Sequence, residues 1–253
     1  MARPLVVANW KNYPGSLEEA KDLLRGMSRK SQLYKKVSLH IAPPLTYLDI
    51  VSKNAKSFAQ LASQDISSQY EGTYTGLVTP SILKSFGVKL SIIGHSEQRS
   101  LGETDEIISQ KVKVALRAGI TPLICIGEIT RDQDGEHYAQ LEGQLKFSLT
   151  DLKKADAEKL VIAYEPVWAI GKNAKGVLEP ADLSQSVLFI KKVLTDMFGR
   201  RVAERIPILY GGSVDAANVS NLFRATGIKG FLVGRASLNA KNFEALTRAL
   251  TNK

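Results

Sequence analysis

The chain has 253 residues, 44% of them hydrophobic, with one cysteine, Cys125, and a formal net charge of +9. That length accommodates one large α/β barrel or two ordinary domains, and a single cysteine excludes an internal disulfide and any multi-cysteine metal site. The excess positive charge is scattered (Lys35-Lys36, Lys153-Lys154, Lys191-Lys192, Arg200-Arg201) without a run of five or six like charges, and no apolar run is long enough to cross a membrane, so neither nucleic-acid nor membrane binding is expected.

The first residues, Met1–Asn9, lack the charged-then-apolar plan of a signal peptide and lead straight into a strand, so a cytoplasmic location is expected. Short apolar runs then recur at Leu5–Ala8, Val37–Ile41, Phe58–Ala62, Leu90–Ile93, Leu123–Ile126, Leu160–Tyr164, Ile208–Tyr210 and Phe231–Val233. Each suits a strand buried on both faces, as in a parallel sheet. Helical signals follow each run. Ser16-Leu17-Glu18-Glu19 reads as a capping box, and Thr79-Pro80 opens a helix that Gly87 closes. Thr104 starts a helix with an apolar stripe at Ile107, Ile108, Val112 and Ala115, ended by Gly119. Leu183, Val187, Ile190 and Leu194 repeat such a stripe, and Asn239 caps a final helix. Eight alternations without a linker predict one closed (β/α)8 barrel domain over residues 1–253. An open doubly wound sheet is the alternative, but Asn9-Trp10-Lys11 stands where its glycine-rich fingerprint usually does.

In a barrel the loops after the strands form the active face. The predicted strands end, in order of chemistry-bearing residues, at Asn9-Trp10-Lys11, Gln64, Gly94-His95-Ser96-Glu97, Glu128, Glu165, Gly211-Gly212-Ser213 and Gly234-Arg235. Glu165 is followed at once by the proline-hinged, small-residue stretch Pro166–Gly171, which suits a carboxylate base beneath a covering loop. The glycines after the last two strands, with Gly171, suggest backbone amides closing on one phosphate. No His-x-x-x-His pair, paired acidic motif or Gly-x-Ser-x-Gly elbow occurs, so no metal or cofactor is expected. One base, one imidazole, one cation and amide groups suit proton abstraction beside a carbonyl.

Six segments, in order, resemble the triosephosphate isomerase family: Asn9-Trp10-Lys11, Gly72–Gly76, Ile93–Glu97, Ala163–Gly171, Tyr210–Val214 and Gly230–Gly234. The resemblance implies that Glu165 moves a proton between adjacent carbons of a triose phosphate while neutral His95 polarises the carbonyl and shuttles protons between oxygens. It implies that Lys11 supplies positive charge, that Asn9 places substrate oxygens, and that Glu97 is a buried partner of Lys11. Ser96 resembles the residue that holds the base in the open state. Main-chain N–H groups near Gly171, Ser213, Gly234 and Arg235 are expected to hold the phosphate, with Gly211 and Gly212 supporting them and Val167–Gly176 acting as a lid. A homodimer through the 67–80 loop is implied, with Thr75 reaching the neighbouring site. Leu77 and Gln98 stand where the family usually has Glu and Arg, so a more apolar contact with fewer ion pairs is expected. Asn173-Ala174-Lys175 also differs from the usual far hinge of the lid, and Arg235 from a usual glycine. An isomerase of four-carbon sugar phosphates and a non-catalytic phosphate-binding relative are the alternatives.

Overall fold

The computed structural model describes residues 3–132, 134–170 and 178–252. Eight parallel strands close on themselves in chain order: β1 (Leu5–Asn9), β2 (Ser38–Ala42), β3 (Gln60–Ser63), β4 (Leu90–Ile93), β5 (Thr121–Ile126), β6 (Val161–Tyr164), β7 (Ile208–Tyr210) and β8 (Gly230–Val233). Ala8 pairs with Ile41 on one side and with Val233 on the other, which joins the first strand to the last.

The apolar runs are continuous because both faces of the sheet are buried, but alternate residues face different cores. Val7, Ala42, Ala62, Ile92, Cys125, Ala163, Leu209 and Leu232 belong to the cluster that fills the barrel. Their neighbours, among them Val6, Ile41, Ile93, Ile126, Tyr164 and Phe231, belong to the larger cluster packed against the helices. The period of two therefore sets what projects at the mouth. Two residues beyond Val7, Ala163, Leu209 and Leu232 stand Asn9, Glu165, Gly211 and Gly234.

The caps follow the sequence. Ser16 accepts from the Glu19 N–H at 3.2 Å, while Glu19 reaches back to the Gly15 N–H at 2.9 Å, one residue earlier than a reciprocal box requires. Thr104 caps Asp105–Ala118, Gly119 ends it at φ 73°, and Asn239 caps Ala240–Thr251. The stripe on Asp105–Ala118 needs one correction. Ile108, Val112 and Ala115 are buried, but Ile107 is exposed, because the buried face is centred on Ile108, Val112 and Ala115 and position 107, about 100° from Ile108, lies past its edge.

His40 lies inside the barrel, paired in register with Val7 and Gln60, and its Nδ1 has no hydrogen-bond partner among the described residues. Burial lowers its pKa from the ordinary 6.5, against the opposing hydrogen bonds of Gln60 and Ser38. The unfolded chain therefore takes up this proton first as pH falls. His40 contributes stability that is present above about pH 6.5 and lost as pH falls through its folded value. Urea midpoints should decline on the acid side of about pH 6.5, and His40→Val should flatten that decline; identical pH profiles would refute this account.

Candidate active site

Glu165 follows β6 and is 2% exposed. Its Oε1 lies 3.2 Å from His95 Nε2, and its Oε2 accepts from the Ser96 N–H at 3.2 Å. Ser96 therefore holds the carboxylate through its main chain. Gly211 makes room for it, since a Cβ there would stand 2.7 Å from Glu165 Cγ. Below, burial and then the negative charge of Glu165 push the Cys125 thiol well above its ordinary value.

His95 would miss the mouth if strand alternation simply continued, because Ile93 already faces the helices. Gly94 breaks that alternation at φ 70°, a conformation that costs glycine little. His95 then caps the helix Ser96–Ser100, its Nδ1 accepting from the Glu97 N–H at 3.1 Å. A ring that accepts at Nδ1 carries its proton, when neutral, on Nε2, the atom that faces Glu165.

Lys11 sits in the left-handed region at φ 51°. Such a conformation costs a non-glycine residue about 1–2 kcal/mol. Two hydrogen bonds hold it there: the Lys11 N–H donates to Asn9 Oδ1 at 2.9 Å, and Gln64 Nε2 donates to the Lys11 carbonyl at 2.7 Å. Its ammonium reaches Glu97 Oε1 at 2.6 Å.

Asn9, Lys11, His95, Glu165, Gly211, Gly212, Ser213, Gly234 and Arg235 line one cavity of about 490 Å³. Gly171 and Asn173-Ala174-Lys175 lie outside the described residues. Two expectations change. Glu97 is 59% exposed at its side chain rather than buried, because no other segment among the described residues covers its outer face. Glu128 does not reach the cavity; it is wholly buried, and its Oε1 accepts from Tyr164 Oη at 2.9 Å and Trp168 Nε1 at 2.8 Å. It thus ties the stretch after Glu165 to the barrel rim. Burial, reinforced by Glu128, pushes the Tyr164 hydroxyl above its ordinary value and that of Tyr210 up to about 12, so both rings remain neutral and Tyr164 remains a donor to Glu128. Thr75 is exposed and lies away from this cavity.

Gln64 stands at a strand end with no role evident from sequence, and Arg99 carries no functional signal there. Arg99 donates to the Gly94 carbonyl at 2.9 Å and the Cys125 carbonyl at 3.2 Å, and pairs with Asp105 at 2.6 Å. It locks the turn that aims His95. Nothing in its sequence context separates it from an ordinary helical surface arginine.

No helix among the described residues is long and apolar enough to cross a membrane. The family model described as triosephosphate isomerase matches residues 4–250. The chain is 40% identical over 252 residues to the triosephosphate isomerase of Fusobacterium nucleatum subsp. nucleatum, covering 98% of this chain and 99% of that protein. It is 40% identical over 249 residues to that of Geobacter metallireducens, with 97% and 98% covered. With that of Carboxydothermus hydrogenoformans it shares 37% over 251 residues, with 98% and 99% covered. A closed eight-stranded barrel, a carboxylate facing an imidazole at its mouth, and relatives of one kind matching from end to end agree: the chain belongs to the triosephosphate isomerase family.

Proposed function

We propose that the chain interconverts dihydroxyacetone phosphate and D-glyceraldehyde 3-phosphate by proton transfer through an enediolate, as one barrel domain. It is an aldose–ketose isomerase by family. Glu165 removes the proton from one carbon and returns it to the next. His95 donates from Nε2 to the developing enediolate oxygen, and Lys11 supplies the positive charge beside it. Asn9 orients the substrate oxygens, and Glu97 steadies the Lys11 ammonium. Main-chain N–H groups near Ser213, Gly234 and Arg235, with Gly171, take the phosphate, where glycines let the backbone approach.

The observation that carries this reading is the 3.2 Å approach of His95 Nε2 to Glu165 Oε1 at the wall of the cavity. An acid and a base so placed can serve the oxygen and carbon of one small carbonyl substrate. A coupled assay on glyceraldehyde 3-phosphate, run beside a four-carbon aldose phosphate, tests it. Faster turnover of the four-carbon compound would reassign the substrate.

A homodimer through the 67–80 loop completes the site in this reading, and a cytoplasmic setting suits it. Tyr13, Leu17, Leu45, Tyr74, Leu77 and Leu101 are all exposed, Leu101 by 81%. Leu45, Leu77 and Leu101 rim a second cavity of about 510 Å³, which Gln98 also lines. Exposed apolar residues gathered around a cavity mark a contact surface, and the charged residues that line it, Asp65, Glu103 and Lys111, pair with one another, so a second copy of the 67–80 loop meets no unpaired charge there. Thr75 of that copy would then cover Glu97. Sedimentation at low micromolar concentration should show a dimer; a fully active monomer there would remove Thr75 from the site.

A further inference from the structure

The cavity at the barrel mouth carries two cations, Lys11 and Arg235. Lys11 is committed to Glu97 at 2.6 Å. Arg235 is exposed, opens the short helical turn Arg235–Leu238, and has no ion pair among the described residues. The preceding Gly234 lies beside Lys11, since a Cβ there would stand 3.6 Å from Lys11 Cε. Ser213 and Gly212, from the loop after β7, line the same space. Two carboxylates share the cavity: Glu165 is held by His95 Nε2 and the Ser96 N–H, and Asp215 is turned to its own loop, accepting from the Ala217 and Asn218 N–H groups at 2.8 and 3.1 Å. Arg235, with no ion pair among the described residues, thus lines the cavity where the glycine-bordered backbone is open to an anion.

We propose that the Arg235 side chain itself binds the phosphate dianion of the substrate, adding a salt-sensitive increment to the grip of the main-chain amides without taking part in proton transfer. This rests on the isomerase reading above. A guanidinium matches phosphate oxygens with two parallel donors and keeps its charge at any working pH. Its exposure limits the gain, because water and salt screen a charge at the rim far more than one at the cavity floor. The contribution therefore belongs to substrate affinity, and it should fade as salt rises.

The test uses the full-length protein with Arg235→Gln and Arg235→Lys. At low ionic strength, Arg235→Gln should raise the KM for glyceraldehyde 3-phosphate about three- to tenfold, with a much smaller change in kcat. The calorimetric Kd for inorganic phosphate should rise by a similar factor. Arg235→Lys should fall between the two, and all differences should shrink in about 0.5 M salt. On glyceraldehyde, which lacks the phosphate, the loss should be markedly smaller. Wild-type KM and phosphate affinity in Arg235→Gln would overturn the proposal, as would an equal loss on the phosphate-free triose. Calorimetry reads phosphate without turnover, so a wild type that fails to isomerise would sink the isomerase reading alone.

Discussion

Replacing Glu165 by Gln should lower kcat by about 10³-fold or more while KM changes little, because it removes the base and keeps the shape. The carboxylate is held on both oxygens, by His95 Nε2 and by the Ser96 N–H, each at 3.2 Å. Glutamine can still occupy that position, but its amide cannot take a proton from carbon. Glu165→Asp gives a second, independent reading. It keeps the charge and draws it back by one methylene, about 1.5 Å, into the barrel. Misplacement on that scale costs roughly 10²-fold when the reacting atoms must meet at contact distance. Gly211 cannot follow to restore the contact, since it sits against Glu165 and carries no side chain. The coupled assay measures both variants, and a kcat within tenfold of wild type for Glu165→Gln would show that another group abstracts the proton.

Lys11→Met should reduce kcat/KM by about 10²- to 10³-fold, split between a higher KM and a lower kcat. Methionine keeps the apolar stem of the side chain and discards the ammonium. The charge acts on the phosphate in the ground state, which appears in KM, and on the enediolate oxygen in the transition state, which appears in kcat. A loss confined to KM would show that Lys11 serves the phosphate alone. The backbone permits a further check. At φ 51° any residue with a Cβ is strained, so among variants that lose the charge, Lys11→Gly should unfold at higher denaturant than Lys11→Ala. A difference of about 1 kcal/mol is expected, and the reverse order would mean that Asn9 and Gln64 do not enforce the conformation.

The same residues show where sequence reading succeeds. An apolar run ending in a polar residue reports a doubly buried strand and its open end, because burial and the period of two are local properties. Asn9, Glu165, Gly211 and Gly234 could be placed at one mouth on that ground. His95 could not be aimed the same way, since the φ of Gly94 reverses its expected face. By residue type Ile107 and Ile108 fall on one stripe, and packing against the barrel separates them. Arg99 and Glu128 give no local sign of their roles, because Arg99 reaches the Cys125 carbonyl on β5, and Glu128 is met by Tyr164 of β6 and by Trp168 beyond it.

By itself the sequence determined the number and order of the strands, the helix caps, the polar residues at the strand ends and the family. These depend on periodicity, turn chemistry and residue type, which a linear chain carries in full. Tertiary structure alone decided that His95 Nε2 meets Glu165, that Gln64 and Asn9 hold Lys11 in a strained conformation, and that Glu97 stands exposed. Those facts depend on the stagger with which the barrel closes, which brings segments far apart in the chain within hydrogen-bonding reach.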